Sequence, residues 1–284
     1  MTIETDLALS GDARDATLTW SARDVQLYHL AIGAGEQVAD ESELRYVLED
    51  RLQVLPSFGT AVVGSPFEAG RLSLPGIDVD QGAVLHGAQR LVVHRPLPRS
   101  GSARRRTRVT GVWDAGRTTV LALRSDVDDD AGPLWSSESE LIVRGERAPG
   151  AVRRPFRRVP PPGREPDLVV ECPTRTSQAL LYRLCGDLNP LHADPATAVA
   201  AGFSRPVLHG LCSYGIALKA TADTLLDGEV TRMAGYTARF AGVFYPGETL
   251  RVRLWAEPAG IRLTATAAQR EDAPVLADAE VTLR

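Results

Sequence analysis

Asp187, Asn189 and His192 fall within six positions of one another in the stretch YRLCGDLNPLHADP (182–195). A carboxylate and an imidazole aimed at one water molecule make a general acid–base pair. Pro190 forbids a continuous helix here and biases Asn189 toward an extended backbone. Asp187 and His192 therefore sit on a bent segment whose shape could turn both toward one point. Spacing alone also admits a second reading. In it, Asp187 or Asp194 caps a helix and His192 is a satisfied polar residue. Asp194 followed by Pro195 fits a cap with proline at the first helical position.

Gly210 closes RPVLHG (205–210) and opens a long apolar run, so it falls in the first turn of a predicted helix. Amides in that turn have no intrahelical acceptor and lie at the positive end of the helix. A glycine lets a ligand approach the backbone closely. Such an amide suits a carbonyl oxygen, a thioester's for example, on which charge grows during reaction. Glycine could equally relieve crowding between helix and sheet.

His209 adds a second imidazole, but its spacing from His192 and Asp194 matches no usual metal pattern, and no metal site is expected. Cys185 and Cys212 carry no sign of activation and read as small core residues.

The elements that must position these groups form two similar halves. In the first, DVQLYHLAIGAG (24–35) reads as a helix and is followed by a polar segment. Next comes the proline-started apolar stretch LPSFGTAVVGSPFEAG (55–70), then four strand-like runs up to SSESELIVRGE. In the second, SQALLYRLCGD (177–187) is the helix and RPVLHGLCSYGIALKATADTLL (205–226) the long apolar helix. YTARFAGVFYPGETLRVRLWAEP, GIRLTATAAQR and APVLADAEVTLR are the strands. LYHL and LYRL occupy matching places, and VHRPLPRSG and VFYPGETL each place proline and glycine where a tight turn between strands is expected. VLHG occurs at 84–87 and 207–210; the first copy runs into a strand pattern and the second opens a helix, so their likeness reads as coincidence. ERAPGAVRRPFRRVPPPGREP (146–166) has no hydrophobic period and reads as a linker, with Pro160–Pro162 extended. The expected division is 1–145, 146–166 and 167–284. Each half is then a long helix wrapped by an antiparallel sheet, an α+β arrangement.

Composition limits the function classes. The 284 residues are 44% hydrophobic and 24% charged, an ordinary globular balance, with net charge −4. That charge does not advertise nucleic-acid binding. Lys219 is the only lysine, and the arginine clusters at 104–106 and at 153, 154, 157 and 158 read as solvated surface. No apolar run reaches membrane-spanning length, and the acidic, polar start lacks the pattern of a signal peptide. Cys172, Cys185 and Cys212 are an odd set without metal spacing, so a reducing cytoplasm is expected.

The stretch YRLCGDLNPLHADPATAVAAGFSRPVLHGL closely resembles the hydratase-2 motif of MaoC-like (R)-specific enoyl-CoA hydratases. Cys185 stands where many members carry serine. LPSFG and LHGAQRLVVHRPLPRSG look like the degenerate first half of double hot-dog members. The resemblance implies a double hot-dog fold and reversible hydration of trans-2-enoyl thioesters to (R)-3-hydroxyacyl thioesters. It implies Asp187 and His192 as the dyad, Asn189 as their orienting neighbour and Gly210 as the amide that polarises the thioester carbonyl. Glu49, in LRYVLED, would match a first-half glutamate of some members. Arg205, Lys219 and Arg239 are candidate partners for carrier phosphates. No cofactor is implied beyond the coenzyme A or acyl-carrier-protein thioester that enters as substrate, and a homodimer is expected by analogy. Two other classes remain open. One is a hot-dog acyl-thioesterase, although the apolar helix carries no acid before Asp223; the other is a non-catalytic acyl-thioester-binding subunit.

Overall fold

The computed structural model describes residues 2–36, 40–145, 147–153 and 158–284. In chain order the first half contains β1 (Thr2–Ile3), α1 (Thr5–Ser10), β2 (Arg14–Trp20), α2 (Ala22–Ala31), α3 (Glu41–Leu44) and α4 (Phe58–Val62). It continues with β3 (Arg71–Leu74), β4 (Ile77–Asp80), β5 (Val84–Val93), β6 (Gly101–Asp114), β7 (Thr118–Asp129) and β8 (Gly132–Arg144). After β9 (Val152–Arg153), the second half contains β10 (Leu168–Pro173), α5 (Gln178–Tyr182), α6 (Pro195–Ala200) and α7 (Gly210–Leu225). It ends with β11 (Met233–Phe240), β12 (Thr249–Glu257), β13 (Gly260–Ala267) and β14 (Ala273–Leu283).

The main sheet runs β10-β12-β13-β14-β11-β5-β8-β7-β6-β2, with β9 pairing alongside β6. Read from either end the order is the same pattern: β10 corresponds to β2, β12 to β6, β13 to β7, β14 to β8 and β11 to β5. The two halves meet at the central antiparallel pair β11 and β5, where Gly235 faces Val92 and Arg239 faces Ala88. The predicted repeat and the α+β double hot-dog architecture are therefore present. Alternating burial along β12 and β13 reflects one face on the core and one toward solvent. A separate sheet, β1-β4-β3, covers a second small core around Leu72, Val79 and Leu121. Its strands are two to four residues long, too short for the alternation in RLSL and IDVD to stand out in the sequence.

Two expectations are corrected. VHRPLPRSG and VFYPGETL are not tight hairpins. They carry the chain from β5 to β6 and from β11 to β12, and neither pair is adjacent in the sheet. The first half also lacks a long helix. Its counterpart, α4, has five residues, whereas α7 has sixteen. Gly64, at φ +75°, and Pro66 end α4, because a left-handed residue and a ring without an N–H cannot propagate a helix. The expected linker, 146–166, falls partly outside the described residues, as do Arg154 and Arg157. Described linker residues lie against second-half strands: Val159 N–H donates to Asp278 Oδ1, and the Arg262 guanidinium donates to the Pro160 carbonyl.

Helix α7 is buried around its whole circumference from Cys212 through Ala222, as a helix enclosed by sheet must be. Gly215 lets it touch α2; a Cβ there would lie 2.5 Å from the Tyr28 hydroxyl. The LYHL and LYRL helices pack on one another: Tyr28 and Tyr182 meet edge to face at 6.2 Å, and Gln178 Nε2 donates to the Ala31 carbonyl. Lys219 is held between Glu43 of α3 (2.6 Å) and Asp223 (2.8 Å), and Asp223 also accepts from Tyr46 Oη. The ion pairs tie α7 to the first half. Removing the cation would strand two inward-facing carboxylates, so Lys219→Met should lower unfolding free energy by about 3 kcal/mol or more. Urea denaturation checks this, and an unchanged midpoint would show that the triad contributes nothing.

Candidate active site

The site is built where the polar overhang of the second half meets the start of α7. Gly186 takes φ +117° to end the turn after α5, which releases Asp187 from helical geometry. Asn189 is extended (φ −51°, ψ 121°), as a residue before proline should be, and Pro190–His192 forms one 3-10 turn. Two hydrogen bonds shape this segment. Asn189 N–H donates to Asp187 Oδ1 at 3.2 Å, and Leu191 N–H donates to Asn189 Oδ1 at 3.0 Å. Asp194 caps α6 by accepting from the amides of Ala196 and Thr197, with Pro195 at the first helical position, as expected.

The fold brings Asp187, His192 and His209 together, with one side-chain donor atom from each lying within 4.8 Å of the others. His192 Nδ1 is 2.8 Å from the Val207 carbonyl. A carbonyl can only accept, so Nδ1 carries the proton and Nε2 keeps its lone pair. Burial pulls the His192 pKa below the usual histidine value, although the Asp187 carboxylate and the Val207 carbonyl pull the other way. His209 stacks on His192 with ring centroids 3.7 Å apart, and its Nε2 donates to the backbone carbonyl of Asp187 at 3.2 Å. Burial, then the neighbouring His192, pushes His209 down to about 2, so it stays neutral. The lack of metal spacing in the sequence did not prevent these three groups from converging; the fold supplies the proximity.

Gly210 is the first residue of α7, and its N–H meets no hydrogen-bond acceptor among the described residues. A Cβ at this position would stand 3.0 Å from the Phe240 ring, so the glycine lets β11 close over the helix start without covering the amide. Asp187, Asn189, His192 and Gly210 all line one cavity of about 460 Å³. First-half residues form much of its wall: Val63, Gly64, Leu72, Leu123, Ser137 and Leu141 among others.

The remaining sequence candidates lie elsewhere. Glu49 sits exposed in a turn, outside the cavity wall, with its backbone carbonyl accepting from Arg99. Lys219 is buried in its ion pairs, with 11% of its side chain exposed. Arg239 is 27% exposed and bound to Asp278, which also holds the linker at Val159. The Arg205 side chain is 56% exposed, with its guanidinium 4.8 Å over the Tyr245 ring and 3.9 Å from Glu248 Oε1. Of the three cations, Arg205 is the most exposed.

Sequence reading passed over His86. The first VLHG copy does run into a strand, but its histidine lines the same cavity. A break in register between His86 and Ala88, at Gly87, re-aims the strand there. The His86 ring meets Phe240 at 4.7 Å, and burial pushes its pKa down to about 4. The repeated word was the available signal.

Comparison with known proteins agrees with this geometry. Residues 18–145 match the MFE-2 hydratase 2 N-terminal domain, and residues 157–271 match the MaoC like domain. The chain is 45% identical over 285 positions to an enoyl-CoA hydratase, ChsH3, of Mycobacterium tuberculosis, covering 99% of each chain. It is 37% identical to the peroxisomal enoyl-CoA hydratase 2 of Arabidopsis thaliana, over 91% of this chain and 88% of that one. A MaoC-like dehydratase from Phytophthora capsici superposes with a TM-score of 0.88 at 28% identity, covering 99% and 98% of the two chains. A cavity shared by both halves, reached by an acid, an imidazole and a free helix-start amide, thus sits in a chain that belongs to the MaoC-like hydratase 2 family of hydro-lyases.

Proposed function

We propose that this protein adds water reversibly, and with syn geometry, across trans-2-enoyl thioesters to give (R)-3-hydroxyacyl thioesters. The observation that carries the reading is the convergence of the Asp187 carboxylate, His192 Nε2 and the unpaired Gly210 N–H on one cavity. The thioester oxygen is placed at the Gly210 amide, where the helix end stabilises enolate-like charge. Water lies between His192 Nε2 and the Asp187 carboxylate. One O–H bond breaks as the water oxygen bonds to Cβ, and the dyad takes the proton. The π electrons move to Cα, which gains a proton from the dyad. Asn189 orients the segment, and His209 keeps the His192 ring in place. No metal, flavin or nucleotide is needed, because the dyad moves both protons and an amide holds the charge.

The first half has no counterpart to the Asp-x-Asn-Pro-x-His pattern, so the proposal includes one active site per chain. The shortened α4 leaves space that the acyl tail would occupy. The carrier is coenzyme A or acyl carrier protein, and Arg205 is its candidate phosphate partner. A homodimer belongs to the same reading. So does a reducing cytoplasm, in keeping with three free cysteines; no helix of the described residues is long and apolar enough to cross a membrane. The thioesterase alternative is weakened because Asp223, the acid of α7, is occupied by Lys219 and Tyr46.

Loss of the enoyl-thioester absorbance on adding protein to crotonyl-CoA and longer trans-2-enoyl-CoAs tests the reading. Persistent absorbance would refute it, and release of free thiol would favour the thioesterase. Asp187→Asn and His192→Ala should each lower hydration at least ~100-fold in a folded protein. Gly210→Ala should lose activity through the Phe240 contact and partial covering of the amide; full activity in that variant would remove the amide from the mechanism. The buried His192 holds Nε2 unprotonated to lower pH than an ordinary histidine. The acid limb of kcat/KM should therefore fall below about pH 6.5. A limb centred above that value would contradict His192 as the base.

A further inference from the structure

We propose that the first-half wall of the cavity holds an anion subsite, built on Arg105, which receives a carboxylate at the distal end of the acyl group. This names a substrate class within the hydration reading and rests on it for the reaction itself.

Three consecutive arginines on β6 divide between the two faces of the strand. Arg104 and Arg106 turn outward and share Asp15 on β2. Arg105, between them, turns inward and lines the cavity. The expectation of solvated surface therefore holds for its neighbours and fails for it. Arg105 is half-buried and donates one hydrogen bond, to the Val63 carbonyl. Its Nε is buried and has no partner among the described residues. No described carboxylate lies within ion-pair distance of it. Glu68, the acid that acts on it, is bonded to Arg14, a second cation on the same wall. Two guanidinium groups thus face one carboxylate. Burial and Arg14 both disfavour the charge on Arg105, so a bound anion would relieve it.

The surroundings are polar where a plain hydrocarbon tail would want them apolar. Thr107 of β6, Ser125 of β7 and Ser137 of β8 line the same wall, and the Thr107 and Ser125 hydroxyls bond at 2.8 Å. The cavity lining also includes apolar side chains, among them Leu72, Val84, Leu123 and Leu141. Phe240, which covers Gly210, is on β11, and Arg105 is on β6, four strands away in the sheet order. Through Val63 and Gly64, whose Cα lies 3.9 Å from the position a Cβ on Gly186 would take, the Arg105 wall adjoins the segment that carries Asp187. A methyl terminus there would leave the guanidinium desolvated and unpaired, whereas a carboxylate fits its donor fork.

The test compares trans-2-enoyl-CoAs of equal chain length ending in a methyl or a carboxylate, with the intact protein and with Arg105→Met and Arg105→Lys. Turnover is read from the enoyl absorbance, and binding of the saturated thioesters from calorimetry. At the longer lengths, wild type should favour the carboxylate end in kcat/KM, and Arg105→Met should cut that preference roughly ten- to hundredfold. Arg105→Lys should keep part of it. Because the readout is a ratio within each variant, a general loss of fold cancels. An equal loss on both ends, or a wild-type preference for methyl ends, overturns the subsite. If nothing turns over yet the carboxylate-ended thioester binds more tightly through Arg105, the hydration reading falls and the subsite stands. If both ends bind equally, the subsite falls.

Discussion

The hydrogen bond from His192 Nδ1 to the Val207 carbonyl joins the two segments that carry the proposed catalytic groups. One is the proline-bent overhang that carries Asp187; the other is the approach to α7 that carries Gly210. A neutral buried hydrogen bond contributes only about 1 kcal/mol net, but breaking it would strand a buried donor and acceptor at a cost of about 1–3 kcal/mol. The same bond selects the tautomer of His192 and so leaves Nε2 as an acceptor facing the cavity. His209 reinforces the junction by stacking on His192 and donating to the Asp187 backbone. Carboxylate, imidazole and amide are thereby carried on segments that these contacts tie together.

Duplication explains the rest of the architecture. The sheet order is symmetric about the β11 and β5 pair, so each half presents a concave face to a central helix. Only the second half fills that face with a long helix. In the first, α4 stops after five residues, and the space it leaves becomes part of the cavity wall. A shared hydrophobic core, running from Leu18 in the first half to Val281 in the second, keeps the halves together. Lys219 adds an ionic tie across them.

Buried titratable groups in this molecule follow one rule: each is neutral or paired. His29 illustrates the neutral case. Its Nδ1 donates to the Tyr46 carbonyl and its Nε2 accepts from Leu55 N–H, an arrangement open only to the uncharged ring, and burial pushes its pKa down to about 4. Lys219 illustrates the paired case, since its two carboxylate partners raise its pKa despite burial. Arg105 departs from both patterns: it is charged, half-buried and without a carboxylate partner among the described residues, in a cavity wall.

Local chemistry was legible in the chain itself. Asp194 and Pro195 announce a helix start, Pro190 announces a bend, and the apolar run after Gly210 announces an enclosed helix. Each of these depends on residues a few positions apart, and so does the hydratase-2 motif. The paired halves were legible for the same reason, as a succession of short periodic segments. Tertiary structure decided the rest. Whether Lys219 met a phosphate or Glu43, whether Arg239 met a substrate or Asp278, and whether Glu49 faced a cavity or water were settled by partners far along the chain. His86 and Arg105 entered the cavity because strand register set which face each occupied. A side chain's face alternates at every residue, so it follows from long-range pairing and a bulge at Gly87 rather than from local composition.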